Sequence, residues 1–376
     1  MSDARPPAGE RTPAYAGAAA RRLSAAPTLA QASDGRDNNV LALRYLAAAG
    51  VILFHCYALT DRWIDEPLWR VAPPLNFGAL GVQVFFVLSG VLVARSWIER
   101  PSLAAYAAAR ALRIYPALVA ATILTIALAG AGSALPWREF LASGATWRYL
   151  AGTATGYDAL AALPGAYAAN PYPHAVNGSL WTLPVELRLY VAVAIAGVLG
   201  LLVRPRAWLV ASALLVGAAL AWPDRVPLDP RGPDTRLAAL LFLLGSLATV
   251  WRARVVLSVP AAALLVVAVA VDPGGALREG PAFAVALAYV VLVVGWHPAL
   301  RVPAVHRAPD ASYGLYVYAF PIQQTIVRLD RDIGPLALFA ATLAATLALA
   351  ALSWTLIEAP ALRLKSRFPP RDDGRP

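Results

Sequence analysis

Long apolar stretches alternate with short polar segments along nearly the whole chain. A helix needs about 20 predominantly apolar residues to cross the hydrocarbon core of a bilayer, and stretches of this kind recur from residue 40 onward. The pattern predicts an all-α, polytopic membrane protein with about ten transmembrane helices, of which the fifth to eighth are short. The predicted spans are 40–59, 78–96, 112–131, 182–203, 206–222, 236–251, 254–271, 281–296, 311–328 and 334–357.

Composition supports this fold class. Hydrophobic residues make up 59% of the 376 positions and charged residues only 14%, whereas soluble domains carry about 25% charged residues. A soluble globular fold is therefore excluded. Cys56 is the only cysteine, so no internal disulfide can form.

The basic residues set the expected orientation. With the N-terminus in the cytoplasm, cytoplasmic segments hold twice as many arginines and lysines as external ones, in line with the positive-inside rule. Both termini are then expected in the cytoplasm. The net charge of +10 follows from this topology, so a nucleic-acid partner is not expected.

The chain is predicted to consist of two cytoplasmic tails and a transmembrane domain between them. Residues 1–36 are rich in Ala, Pro, Arg and Ser and lack the apolar core of a signal peptide, which predicts a disordered cytoplasmic tail. Residues 37–358 form the transmembrane domain, and 359–376 a cytoplasmic C-terminal tail. The external loop 132–181 is rich in aromatic residues that could bind a ligand, namely Trp137, Trp147, Tyr149, Tyr157, Tyr167, Tyr172 and Trp181.

Ionisable residues inside spans are costly and therefore candidates for function. Arg44 and His55 are eleven residues apart in the first span and share one helix face. His55 and Glu186 lie at similar depth in separate spans and could form a general-base pair. The alternatives are a packing histidine, a Glu186 that faces external water, and an Arg44 that reaches the inner headgroups.

Two further groups have chemically useful spacing. Arg110 and Arg113 are three residues apart on one helix face, where their guanidinium groups suit a cytoplasmic polyphosphate, although ordinary cytoplasmic arginines would look the same. Glu186 and Tyr190 are four residues apart and also share a face. The remaining histidines, His174, His297 and His306, are expected to be solvated. No metal site is expected, because the Cys and His spacings of metal sites are absent.

Six segments in order resemble the bacterial integral-membrane acyltransferase family known as acyltransferase 3, whose members O-acetylate cell-surface sugars. They extend over residues 38–363, nearly the whole membrane region. They read NNVLALRYLAAAGVILFH, GVQVFFVLSG, RALRIYP, NGSLWTLPVELRLY, ASYGLYVYAFPIQQ and IEAPALR.

The resemblance implies an O-acyltransferase of the bacterial inner membrane. It would move an acyl group, with acetyl expected, from cytoplasmic acyl-CoA to a hydroxyl of an extracytoplasmic carbohydrate such as a surface polysaccharide or glycolipid. Acyl-CoA is then a donor substrate, and no bound cofactor is expected. By the resemblance, His55 and Glu186 are catalytic and Arg44, Arg110 and Arg113 bind the donor; the supporting residues are Ser89, Trp181, Tyr190 and Tyr313.

Some alternatives stay open. Many relatives carry a fused C-terminal SGNH-type esterase domain, for which this chain is expected to be too short, and Glu358 in the last motif has no assigned role. A proton-coupled secondary transporter or exporter could use His55 and Glu186 as a proton relay, although no repeated halves are evident. A non-catalytic sensor is a third reading. The sequence does not identify the acceptor, the acyl chain or the oligomeric state.

Overall fold

The computed structural model describes residues 26–33, 35, 37–157, 162–222, 233–272, 274–302 and 309–368. Regular structure in these residues is helical, with isolated bridges but no strand, so the predicted all-α class is confirmed. Each predicted span coincides with one long helix, to within a few residues at most ends. In chain order these are α1 Val40–Leu59, α2 Phe77–Glu99, α3 Leu103–Ala131, α4 Thr182–Val198, α5 Pro205–Ala221, α6 Pro233–Val250, α7 Val259–Val271, α8 Gly280–Trp296, α9 Ser312–Leu329 and α10 Pro335–Ser353.

Length and apolarity support a multi-pass membrane protein. Within the described ranges, five helical stretches are long and apolar enough to cross a membrane, and α5, α7 and α8 add shorter apolar segments. Helix α9 is less apolar, yet most of it is buried among other helices, including Gln323 and Gln324. The five spanning stretches are Val40–Leu59, Phe77–Glu99, Leu103–Ala131, Gly178–Val198 and Pro335–Arg367.

Local sequence explains where several helices begin. The Asn76 carboxamide oxygen accepts a hydrogen bond from Ala79 N at 2.7 Å, and Ser102 and Ser258 cap α3 and α7 in the same way. Proline occupies the first turn of α5, α7, α8 and α10, where its missing N–H costs nothing. These residues fix the first turns of the helices that they begin.

Helix α2 is the centre of the bundle and packs against α1 on one side and α6 on the other. A Cβ at Gly90 would lie 2.1 Å from the Phe242 carbonyl oxygen, and one at Gly245 would lie 2.3 Å from the Val87 oxygen. The backbones of α2 and α6 therefore touch, as small residues allow in membrane helices.

The loop between α3 and α4 has a small core of its own. Two helices, Trp137–Ala142 and Gly144–Thr155, bury Phe140, Tyr149 and Tyr167 against the end of α3. Tyr149 and Tyr167 are therefore structural, whereas four aromatic residues of the loop remain exposed: Trp137, Trp147, Tyr157 and Tyr172.

The prediction of a disordered tail over 1–36 is wrong for residues 26–33. These residues contain the helix Leu29–Ser33, and Leu29 is buried. Leu29 N donates to Val255 O at 2.7 Å, and Leu257 N donates to Pro27 O at 2.8 Å, so the segment is tied to the α6–α7 connection. Residues 1–25, 34 and 36 lie outside those described. At the other end, residues 359–367 remain helical and pack against α3.

The α2–α6 contact can be tested with Gly90→Ala. The added methyl group would meet the Phe242 carbonyl, and overpacking of this kind costs about 1–3 kcal/mol. We expect a lower unfolding temperature in detergent. The matched control is Gly217→Ala on α5, where nothing lies within 4 Å of a new Cβ. Equal unfolding temperatures for wild type and Gly90→Ala would contradict the close contact.

Candidate active site

A cavity of about 570 Å³ opens between α1, α2, α3, α4, α9 and the segment 359–367. Along α2 its lining extends from Val82 to Glu99, which is about 26 Å at 1.5 Å per residue, and Arg100 follows the end of the helix. The cavity is therefore long, and it follows most of one membrane-spanning helix. Basic side chains surround one end, and Phe85, Thr182 and Tyr316 line the other.

A hydrogen-bonded group occupies the middle of the cavity. Glu186 Oε1 accepts a hydrogen bond from Ser89 Oγ at 2.9 Å and another from the Tyr190 hydroxyl. The four-residue spacing on α4 places Glu186 and Tyr190 side by side, and Gly90 lets α2 sit deep enough in the bundle to carry Ser89 there. Tyr106 OH fixes this turn of α4 by donating to the Tyr190 carbonyl at 2.9 Å.

Asp310 joins two of the predicted arginines. Its Oδ2 accepts from Arg44 at 2.8 Å and from Arg113 at 2.9 Å, and its Oδ1 accepts from Ser312 Oγ at 2.7 Å. Burial works against ionisation of this carboxyl, but the adjacent Arg44 and Arg113 charges hold its pKa below the ordinary value. Asp310 is therefore an anion that connects α1 and α3 at the start of α9.

Glu358 is a second carboxylate that contacts Arg113. It ends a π-helical turn, Trp354–Glu358, and is only 1% exposed. Its Oε2 lies 3.4 Å from Arg113 NH1, and its Oε1 accepts from Ser353 Oγ at 3.2 Å. The residue for which the sequence suggested no role thus pairs with Arg113.

Arg110 has a different environment from Arg113, although the two are one turn apart. The Arg110 guanidinium lies over the Tyr190 ring at 5.7 Å from its centroid. Its Nε is buried and has no hydrogen-bond partner. Arg113 instead lies near the rings of Tyr313 and Trp354, at 5.8 and 5.9 Å.

His55 lies outside the lining of this cavity. Its ring packs edge-on against Phe320 at 5.0 Å and near Phe54 at 5.7 Å, and its Nδ1 is buried without a partner. Next to it, the Gln323 amide donates to Ile52 O at 2.8 Å and to Cys56 Sγ at 2.9 Å, which ties α9 to α1.

The structure does not join His55 to Glu186 as the sequence predicted. No hydrogen bond connects the two residues, and Glu186 bonds to Ser89 and Tyr190 instead. Trp181 also lies outside the cavity lining, half-buried in the 3-10 turn Gly178–Trp181. The predicted site residues that do share the cavity are Arg44, Ser89, Arg110, Arg113, Glu186, Tyr190 and Tyr313.

Sequence reasoning missed four members of the site. Asp310 immediately precedes the ASYG motif, and its position before a helix with Ser312 two residues later was the available signal. Arg100 and Lys365 have the pattern of ordinary cytoplasmic charges, and no spacing signal singles out Tyr316 within its motif. In the part of the chain that the structure describes, no cluster of His, Cys, Asp and Glu could hold a metal ion.

Comparison with known proteins fits this geometry. A family model described as an acyltransferase domain matches residues 38–355. The chain belongs to this acyltransferase family. The predicted family is thereby confirmed, and the protein is a membrane-embedded acyltransferase.

Two curated relatives cover most of the acyltransferase. Nodulation protein 10 of Rhizobium leguminosarum bv. viciae is 29% identical over an alignment of 370 positions that covers 89% of this chain and 95% of the relative. The O-acetyl transferase of Shigella phage Sf6 is 29% identical over an alignment of 329 positions that covers 84% of this chain and 93% of the relative. No solved structure matches the chain.

The carboxylates on the arginines can be tested through stability. Asp310→Asn removes the charge shared by Arg44 and Arg113, and lost charge-assisted hydrogen bonds cost about 1.5–3 kcal/mol each. We expect a clear fall in unfolding temperature, and a smaller fall for Glu358→Gln because its contact is longer.

The matched control for both variants is Asp65→Asn. The Asp65–Arg70 pair is exposed and 4.0 Å long, so its loss should leave stability nearly unchanged. If Asp310→Asn were no less stable than this control, Asp310 would not hold the arginines together.

Proposed function

We propose that this protein is an O-acetyltransferase that uses cytoplasmic acetyl-CoA and acetylates a hydroxyl of an extracytoplasmic carbohydrate, such as a surface polysaccharide or glycolipid. The observation that carries the proposal is the long cavity, basic at one end, in a chain of the acyltransferase family. The relative named O-acetyl transferase supports transfer of acetyl to oxygen.

The cavity suits an extended, anionic donor. Arg110, Arg100 and Lys365 surround its basic end, and guanidinium and ammonium groups bind phosphates. The pantetheine arm would follow α2 past Ser89, Glu186 and Tyr190 toward Phe85 and Tyr316. In the orientation set by the arginines, this path brings the thioester toward the external side.

The chemistry is transfer of an acyl group from sulfur to oxygen. The acceptor oxygen attacks the thioester carbonyl, the C–S bond breaks and the new C–O bond forms. His55 takes the hydroxyl proton, which then passes to the departing thiolate. An acyl-imidazole formed on His55 and then attacked by the hydroxyl would give the same products.

Phe320 and Tyr316 lie one turn apart on α9, so His55 sits about one turn beyond the cavity's lining. The protein would lie in the bacterial inner membrane with both termini in the cytoplasm. The acceptor would then approach from the external side, opposite the donor. The exposed Trp137, Trp147, Tyr157 and Tyr172 offer faces on which sugar rings pack.

His55→Ala tests the catalytic assignment. Loss of a general base typically lowers the rate by about 10²–10⁴-fold, so transfer should nearly vanish while the unfolding temperature stays close to that of the wild type. Thiol release and acetylated acceptor are both measured. The control is His174→Ala, a histidine exposed in the loop. A His55→Ala variant with normal turnover would remove His55 from the mechanism.

Sidedness tests the path across the membrane. In sealed inside-out vesicles, labelled acetyl-CoA added to the medium should acetylate only acceptor trapped in the lumen. Acceptor supplied on the same side as the donor should stay unmodified. The opposite result would overturn the transmembrane route, and a failure to release thiol from acetyl-CoA would overturn the proposed donor.

A further inference from the structure

The basic side chains of the cavity differ in whether a carboxylate neutralises them. Six basic residues line the cavity, and they come from α1, from α2 and the residue after it, from α3 and from the last helical turn. They are Arg44, Arg95, Arg100, Arg110, Arg113 and Lys365.

Three of the six are already paired within the protein. Asp310 and Glu358 hold Arg44 and Arg113 as described above. Arg95 pairs with Glu99 at 2.5 Å and also donates to Ser33 O at 2.9 Å. A phosphate that approached these arginines would have to displace a carboxylate.

The other three form no ion pair with any carboxylate in the described ranges. Arg110 projects from α3, and the segment 359–367 that carries Lys365 packs on the same helix. All three side chains line the same cavity, so their positive charges lie in one region of the protein. Like charges repel, and a bound polyanion would turn this repulsion into attraction.

We propose that Arg100, Arg110 and Lys365 form the phosphate subsite of the donor, with Arg110 at the diphosphate and Arg100 and Lys365 at the 3′-phosphate on the ribose. The assignment rests on the proposed use of acyl-CoA. Which phosphate each residue binds follows from how deep its side chain lies in the cavity. Arg110 lies over Tyr190, next to Glu186, whereas Arg100 follows the end of α2 and Lys365 lies in the last helical turn. In acyl-CoA the diphosphate is nearer the thioester than the 3′-phosphate is.

Ordinary cytoplasmic charge does not account for this arrangement, because the three residues line a cavity. The segment 359–367, which carries Lys365, also supplies a control residue outside the cavity. Arg367 is two residues from Lys365, exposed and outside the cavity lining, so its removal takes away the same charge without touching the subsite.

The test compares two donors, acetyl-CoA and acetyl-3′-dephospho-CoA, with the full-length protein in detergent or vesicles. In the wild type, loss of the 3′-phosphate should raise KM about 10-fold or more, as expected for lost charge-assisted hydrogen bonds. The double variant Arg100→Ala with Lys365→Ala should raise KM for acetyl-CoA to the same level. It should leave KM for the dephospho donor unchanged, so that the two donors become equal.

Two single variants complete the comparison. Arg110→Ala should raise KM for both donors by a similar factor, since both keep the diphosphate. Arg367→Ala should change neither value. Adenosine 3′,5′-bisphosphate gives a second readout: as a competitor of acetyl-CoA it should lose potency in the double variant and keep it in Arg367→Ala.

The outcomes separate this subsite from the function it rests on. If the wild type releases no thiol from either donor, the acyl-CoA assignment fails. If the wild type turns over acetyl-CoA but the double variant still discriminates between donors, the subsite is wrong and the function stands. If Arg367→Ala raised KM as much as the double variant does, the effect would come from general surface charge and the subsite would be wrong. Unfolding temperatures identify a misfolded variant, for which Arg100→Gln with Lys365→Gln is the replacement.

Discussion

A charge between membrane helices has to find its counter-charge inside the protein, because hydrocarbon offers neither water nor ions. Asp310 is where this constraint acts most strongly, since one carboxylate oxygen serves Arg44 from α1 and Arg113 from α3 at the start of α9. Three helices are thereby fixed relative to one another at the basic end of the cavity. The positions of Tyr313 and Tyr316, which follow on α9, depend on that arrangement.

Glu358 extends the same network to the end of the chain. The π-helical turn Trp354–Glu358 inserts one extra residue per turn, and such turns re-aim side chains at functional sites. Here Glu358 points inward to Arg113 and Ser353, and the segment that follows lies on α3. Pairing Glu358 therefore also brings Lys365 to the cavity, so a structural ion pair places a residue that binds the donor in our proposal.

The sequence predicted the helices well and the contacts between them only in part. Span positions depend on local apolarity, and faces depend on the helical period, so Arg44, Arg110, Arg113, Glu186 and Tyr190 could be chosen from one chain. Rotation of each helix against its neighbours does not follow from these patterns. For that reason the predicted contact between His55 and Glu186 is absent. Ser89 and Tyr190 donate hydrogen bonds to Glu186 instead. Asp310 lies just outside a span, so the rule that makes charges inside spans candidates for function does not identify it.

The position of His55 has a chemical consequence. An acylated donor in the cavity would be exposed to hydrolysis if a base and water stood beside the thioester. In this arrangement the ring of Phe320 packs on His55, and Phe85 contacts Tyr316 at 5.6 Å one turn nearer the donor. The base of the proposed mechanism is thus separated from the proposed donor cavity by aromatic packing. In the proposed mechanism, transfer requires these rings to move, and a rearrangement that accompanies acceptor binding would couple release of the thiol to the presence of an acceptor hydroxyl.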